Sequence, residues 1–178
     1  HTHGAGLFHT RTPVESLEDL QNLTIRGGSR VISTMLDDLG AEPVGMPIPQ
    51  VPEALTLGHI RGATMPWQVT ISLRSSEIVS HHTEFSGDRG LFTQTFAFVM
   101  NRARYDGLPD DLRQIIDDHS GIEWAALFGR INDVDDALAR QMAVDRGNTI
   151  VTLDAVETAR WRDAALITIN NWLAEAQA

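Results

Sequence analysis

The stretch Arg26-Gly-Gly-Ser-Arg30 combines several features of an anion-binding site. Arg26 ends a predicted strand, Leu23–Arg26, and Ser29 is a suitable N-cap for the helix predicted to follow. In open α/β sheets, ligands lie outside the carboxyl ends of the strands, where the amides of the next helix also point. The glycines allow close approach of the backbone, and an arginine can hold a carboxylate through two parallel hydrogen bonds. We therefore predict that Arg26 anchors an anion and that Arg30 adds a second positive group; the alternative is a surface ion pair beside an ordinary tight turn.

A second candidate site is Thr64-Met-Pro-Trp67, at the end of another short predicted strand. A tryptophan at a strand end can form the wall of a pocket for an organic ligand. The alternative is a tryptophan of the core or its rim, which is the more common role. Two arginines near one helix start would suit a dicarboxylate, whereas Met65 and Trp67, together with Ile48, would accept an aromatic or aliphatic acid.

Several histidines and one glutamate are a third candidate, and they define the alternative function of a small metal-dependent hydrolase. The set is His1, His3, His9, His81, His82 and Glu84. Its spacing matches no metal signature, so we expect no metal site, no cofactor and no enzymatic activity. A further alternative is an interaction domain that binds no small molecule. The acidic pairs, such as Asp135-Asp136, are expected to form solvated helix faces.

The composition limits the possible functions. The chain has 178 residues and a formal net charge of −10, and all 14 of its basic residues are arginine. This acidic balance argues against binding to nucleic acid or to anionic membranes. The absence of lysine excludes Schiff-base chemistry, and the absence of cysteine excludes thiolate nucleophiles and disulfides. We expect one globular unit with a substantial core.

The predicted strands and helices alternate along the chain, which indicates an α/β fold with a largely parallel sheet. Apolar residues at helical spacing from Val31 to Leu39 predict a helix that Gly40 ends. We also predict a helix over residues 71–79, a strong strand over Phe92–Met100 and a long helical region from Leu108 to Phe128. A last strand over Asn148–Leu153 is followed by a helix that Asp154 caps.

The sequence also resembles the DctP-type substrate-binding proteins of TRAP (tripartite ATP-independent periplasmic) transporters, from their middle to their C-terminus. The resemblance depends on the order and spacing of many short runs, none of which would be specific alone. The matching runs are His1-Thr-His-Gly-Ala-Gly6, Ser16-Leu-Glu-Asp-Leu20, Leu23-Thr-Ile-Arg26, Leu39-Gly-Ala-Glu-Pro-Val-Gly-Met46, Val51-Pro-Glu-Ala-Leu55, residues 58–67, Met100-Asn101, Tyr105-Asp-Gly-Leu-Pro109 and Asp145-Arg-Gly-Asn-Thr-Ile150. One departure is Arg61, since the family usually has an acidic residue before the glycine at Gly62.

The resemblance implies a two-lobed periplasmic binding protein fold (type II-like) and a protein that delivers an organic acid, such as a carboxylate or C4-dicarboxylate, to membrane permease subunits. The family's carboxylate-clamping arginine falls on Arg26. The other ligand-binding positions fall on Arg30, Thr64, Met65, Trp67 and Phe92, and the family's glycine–Ser–Arg pattern falls on Gly28, Ser29 and Arg30.

The resemblance further implies that one lobe is complete and the other partial, because roughly the first two-fifths of a typical member has no counterpart. We expect the ligand-binding lobe to comprise residues 1–90, the partial second lobe with a connecting helix 91–147, and a returning strand and helix 148–178. The abrupt start at His1, without a signal peptide, suggests a processed or truncated product of an exported protein. The apolar faces of Phe92–Met100 and Leu112–Phe128 are expected to be covered by a second copy of the chain or by the missing N-terminal part.

Overall fold

A computed structural model describes residues 1–177 and contains a six-stranded mixed sheet. The strands are β1 (Leu7–Thr10), β2 (Thr24–Gly27), β3 (Glu42–Gly45), β4 (Gly62–Met65), β5 (His81–Phe85) and β6 (Thr149–Leu153). They lie in the order β3-β2-β4-β1-β5-β6. The pairs β2–β3, β2–β4 and β5–β6 are parallel, whereas β1 runs antiparallel to both β4 and β5. The expected α/β fold is confirmed, with β1 as the exception to a parallel sheet.

Helices cover the sheet and extend beyond it. They are α1 (Arg30–Asp38), α2 (Val51–Leu57), α3 (Trp67–Leu73), α4 (Arg102–Asp106), α5 (Asp110–Asp118), α6 (Ile122–Asp145) and α7 (Ala155–Gln177). The side chain of Ser29 caps α1 by accepting a hydrogen bond from Ile32 N at 3.3 Å, as predicted. No helix in residues 1–177 has the length and hydropathy that a membrane span requires.

Two apolar clusters hold the sheet and its helices together. The larger one packs α1 and α7 on the sheet, with Phe8, Phe85 and Trp161 in edge-to-face or tilted contact at 5.4–6.5 Å between ring centroids. The smaller one lies beneath α2 and α3 and includes Leu55 and Met65. Together these clusters fix the carboxyl ends of β2 and β4, where the candidate site lies.

The segment Phe92–Met100 does not form the strong strand that its composition predicts. It makes only isolated bridges, between Thr2 and Thr95 and between Gly6 and Phe92. A strand needs a neighbour for its backbone groups, and beyond these bridges the segment extends away from the sheet. From Phe96 onward its apolar side chains are exposed, and the relative accessibility of Phe98 is 107%.

Two predicted helices are interrupted by residues with left-handed backbone. The helix predicted over residues 71–79 ends at Leu73, because Arg74 has a φ of 50°, and a short 3-10 turn follows. The region Leu108–Phe128 is divided between α5 and α6, with Gly121 at a φ of 91° between them. The positive φ of Arg74 ends α3, whereas α5 ends at Asp118 and Gly121 stands directly before the first residue of α6, so apolar periodicity alone reveals neither break.

Candidate functional site

Adjacent strand ends bring together Arg26 and Thr64, which belong to the first and the second candidate site of the sequence analysis. The parallel pairing of β2 with β4 sets Arg26 opposite Ala63. The Thr64 hydroxyl donates to the Arg26 carbonyl oxygen at 3.2 Å, and Arg26 Nη1 donates to the Thr64 carbonyl oxygen at 3.4 Å. Arg26 Nε donates to the Met46 carbonyl oxygen at 3.2 Å. The guanidinium is therefore held by main-chain atoms of two segments that flank β2.

Arg26 is a buried cation without a carboxylate partner. Its relative accessibility is 7%, and none of the ion pairs in residues 1–177 includes it. Burial lowers the pKa of Arg26 because water that would stabilise the charge is removed. Carbonyl dipoles compensate a buried charge only in part, so a bound anion would complete the environment of this guanidinium.

Gly28 leaves open the space directly beside the guanidinium. A Cβ atom on Gly28 would lie 3.2 Å from Arg26 Nη1 and 3.7 Å from Gln94 Oε1. A Cβ at position 28 would therefore be tight against Arg26 Nη1 and in ordinary van der Waals contact with Gln94 Oε1. Gln94, which the sequence analysis did not single out, borders the same space beside Gly28 as the guanidinium does.

An apolar cavity of about 370 Å³ extends from Gln94 between α1, α7 and residues 91–94. Its walls include Ile32 and Met35 from α1, Ile169 and Trp172 from α7, and Phe92. Phe92 was assigned to the ligand site by resemblance, and the structure places it on this cavity wall. Ser29, next to the glycines of the Arg26 turn, also lines the cavity.

Arg30, Met65 and Trp67 make their contacts with other parts of the chain. The side chain of Arg30 is 72% exposed and pairs with Glu175 of α7 at 3.3 Å. Met65 is buried in the smaller apolar cluster. The Trp67 ring is buried too, and its indole N–H donates to Glu84 Oε1 at 2.9 Å. Met65 and Trp67 thus form the packing beneath the strand end.

Comparison with known proteins identifies the family of this chain. Residues 2–175 match the model of the DctP family, described as bacterial extracellular solute-binding protein family 7. The chain belongs to the DctP family. This family consists of solute-binding proteins rather than enzymes, as the sequence analysis expected.

Relatives in the DctP family resemble this chain over nearly its whole length. A TRAP solute-binding protein of Rhodoferax ferrireducens, solved with copurified benzoate, is 39% identical, with a TM-score of 0.93 over 99% of this chain and 55% of that one. A marine metagenome TRAP solute-binding protein specific for aromatic acids, solved with 3-hydroxybenzoate, is 38% identical, with a TM-score of 0.94 over 99% and 55%. The C4-dicarboxylate-binding periplasmic protein DctP of Rhodobacter capsulatus is 26% identical over 97% of this chain and 50% of that one. The chain therefore spans about half the length of these DctP-family relatives.

The histidines of this DctP-family chain do not converge on a metal site. His1 stacks on Phe96 and His3 lies tilted against the same ring, whereas His9 and His82 are buried together in the sheet. No group of three or more histidine, cysteine or acidic side chains within residues 1–177 is arranged to hold a metal ion. The structure therefore gives no support to the alternative of a metal-dependent hydrolase.

His9 and His82 form a buried hydrogen-bonded chain instead. His9 Nε2 lies 3.1 Å from the Met65 carbonyl oxygen, so Nε2 carries the proton and Nδ1 accepts from His82 Nδ1 at 2.8 Å. His82 Nε2 then accepts from the Asn148 amide at 3.0 Å. Burial, followed by the charge on His82, lowers the pKa of His9 to about 3. Burial likewise lowers the pKa of His82 to about 4, although Glu84 opposes this shift.

Asp136 differs from its expected role on a solvated helix face. It is half-buried, and its Oδ1 accepts a hydrogen bond from the Gln68 backbone N–H at 2.6 Å. Burial raises the pKa of Asp136, and the Gln68 hydrogen bond opposes this shift. The prediction of a solvated face is wrong for this residue because α6 lies against α3, and the sequence around Asp135-Asp136 contains no signal for that packing.

Proposed function

We propose that this chain forms the ligand-anchoring lobe of a longer periplasmic receptor that captures an organic acid for uptake by a TRAP transporter. Arg26 is the anchor, and it binds the ligand's carboxylate through a charge-assisted, two-pronged hydrogen bond. The observation that carries this proposal is the burial of the Arg26 guanidinium without a carboxylate partner in residues 1–177. The membrane permease subunits of the transporter are the proposed partners.

We further propose an aromatic monocarboxylate as the ligand class, in preference to a C4-dicarboxylate. Arg30 is exposed and pairs with Glu175, so Arg26 is the buried positive charge at this strand end, and the turn that follows it reaches the cavity wall at Ser29. That cavity has apolar walls that include Phe92 and Trp172, which suit a ring better than a second carboxylate. The similar Rhodoferax and marine metagenome proteins were solved with benzoate and 3-hydroxybenzoate, and this likeness supports the same class here.

The apolar side chains on α5 and on the first half of α6 form the surface that we propose packs against the rest of this receptor. Helices α4 and α5 bury none of their residues, and Ile122 and Ile131 of α6 are 83% and 47% exposed. Apolar patches of this extent are unusual on monomers. About half of each relative's chain has no counterpart here, and we propose that the corresponding part of the full-length receptor covers this surface. A second copy of the chain is the other candidate.

Calorimetric titration of the full-length receptor with benzoate tests the anchor. Arg26→Gln should cost about 2–5 kcal/mol of binding free energy, the usual loss when one partner of a buried charged pair is truncated. Arg26→Lys retains the charge but not the planar fork, so its loss should be intermediate. Arg61→Gln is the matched control, because it removes the same charge from an exposed position before the amino end of β4.

The control should bind benzoate with the affinity of the wild type. Unchanged benzoate affinity in Arg26→Gln would show that Arg26 is not the anchor. Competition with succinate tests the ligand class: an affinity for succinate higher than for any aromatic acid, lost in Arg30→Gln, would instead support a dicarboxylate held by both arginines.

A further inference from the structure

The long helix α6 is attached to the sheet by one end only. Its buried residues, Ala139 and Ala143, both lie in its second half, and their small side chains allow close approach to α3. Asp136 and Arg140 share this face, since residues three, four and seven positions apart lie on one side of a helix. Arg140 Nε donates to Glu84 Oε1 at 2.8 Å, the oxygen that also accepts from the Trp67 indole.

Asp136 supplies the cap that α3 lacks locally. Helix α3 begins after Pro66, whose side chain can accept no hydrogen bond, so no local cap serves its first amides. Asp136 Oδ1 accepts from the Gln68 N–H of this first turn at 2.6 Å. The carboxylate also lies favourably at the positive end of the helix.

The same carboxylate lies against the chain segment before β1. A Cβ atom on Gly4 would be 2.9 Å from Asp136 Cγ and would overlap Oδ2, so only glycine permits this contact. The neighbouring residue His3 donates its backbone N–H to the Gln94 carbonyl oxygen at 3.3 Å. Asp136 thus lies between the turn that carries Thr64 and the segment that carries Gln94.

We infer that Asp136 is a positioning residue of the carboxylate site, because it ties the Thr64–Trp67 turn to α6 and to the Gly4 segment. Arg26 Nη1 donates to the carbonyl oxygen of Thr64 at the start of this turn. A shift of the turn would therefore move a main-chain acceptor of the anchor. This inference rests on the proposed function. It adds that the position of α6 affects the position of the Arg26 guanidinium.

The test combines four variants of the full-length receptor: Asp136→Ala, Asp136→Asn, Gly4→Ala and the double variant Gly4→Ala/Asp136→Ala. Asp136→Ala should weaken benzoate binding about tenfold, within the range expected for loss of a cap. Asp136→Asn retains an acceptor oxygen and should restore most of the affinity. Gly4→Ala should weaken binding alone but add little in the double variant, because both changes disrupt one contact. Asp145→Ala, an exposed change at the far end of α6, is the control.

Affinity is measured under conditions in which each variant is fully folded, and exchange of the Gln68 amide hydrogen is followed separately. A purely structural role would lower the unfolding temperature and leave benzoate affinity unchanged, which would overturn the inference. Additive effects of Gly4→Ala and Asp136→Ala would also overturn it. If Arg26→Gln abolishes binding while Asp136→Ala does not alter it, the proposed function stands and this inference fails. If the wild type binds no carboxylate, both the proposed function and the positioning role are wrong. This holds even if slow exchange of the Gln68 amide hydrogen confirms that Asp136 caps α3.

Discussion

The buried pair His9–His82 should make folding stability depend on pH near neutrality. Both rings are uncharged in the folded protein, with pKa values lowered from 6.5 to about 3 and about 4. In the unfolded chain each ring binds a proton below pH 6.5. Because the unfolded state then binds more protons than the folded state, the unfolding free energy is fully retained above pH 6.5 and falls as pH decreases towards 4.

The expected loss is large enough to measure. At pH 5, which is 1.5 units below 6.5, each histidine should cost about 2 kcal/mol, from about 1.4 kcal/mol per unit. The pair together should therefore lower stability by about 4 kcal/mol relative to pH 7.5. The charged groups next to His82 are Glu84 and His81. The pKa of Glu84 is lowered through hydrogen bonds from Arg140 and Trp67 despite burial, so its carboxylate loses its charge at lower pH than the step predicted here.

Urea unfolding at pH 7.5 and pH 5, followed by tryptophan fluorescence, measures this difference. His9→Gln/His82→Gln should be less stable at pH 7.5 but should lose most of the pH dependence. His59→Gln is the matched control, since this histidine is exposed and its replacement should retain the full difference. A wild-type stability that is equal at the two pH values, or a double variant with the wild-type slope, would refute the account of a neutral buried pair.

Two further predictions concern the anchor and the exposed helices. Gly28→Ala should weaken carboxylate binding by about 1–3 kcal/mol in a calorimetric titration, because the new Cβ would lie 3.2 Å from Arg26 Nη1. Unchanged affinity would show that no ligand atom occupies the space beside Gly28. The 178-residue chain alone should self-associate in sedimentation and bind an apolar dye through α5 and the first half of α6; a monomer that binds no dye would contradict the proposed cover.

The strand end that carries Arg26 could be predicted from sequence because its signals are local. A short strand, two glycines and a capping serine follow one another within a few residues, and each constrains the backbone next to Arg26. Arg30 belongs to the same local pattern, but its pairing with Glu175 depends on where α7 returns. The local pattern predicts correctly where β2 ends, but it does not determine the direction in which the Arg30 side chain points.

The contacts that sequence could not predict all depend on distant segments. The pair His9–His82 exists because β1 runs antiparallel to β5, which places the two residues opposite each other in register. Asp136 reaches Gln68 only because α6 packs on α3. Phe92–Met100 has strand-forming residues, yet strand formation requires a partner as well as propensity.

The way Arg26 is held indicates where ligand selectivity must arise. Because the Met46 and Thr64 carbonyl oxygens fix the guanidinium, little side-chain entropy is left to lose when a carboxylate binds. In the role of anchor that we propose for Arg26, every carboxylate would gain this advantage equally, so the anchor would contribute affinity without distinguishing one acid from another. We therefore expect discrimination to come from groups that meet the remainder of the ligand, for which this lobe offers Gln94 and the apolar cavity walls. Substitutions at Phe92 or Trp172 should therefore change the order of preference among acids, whereas substitutions at Arg26 should weaken them all.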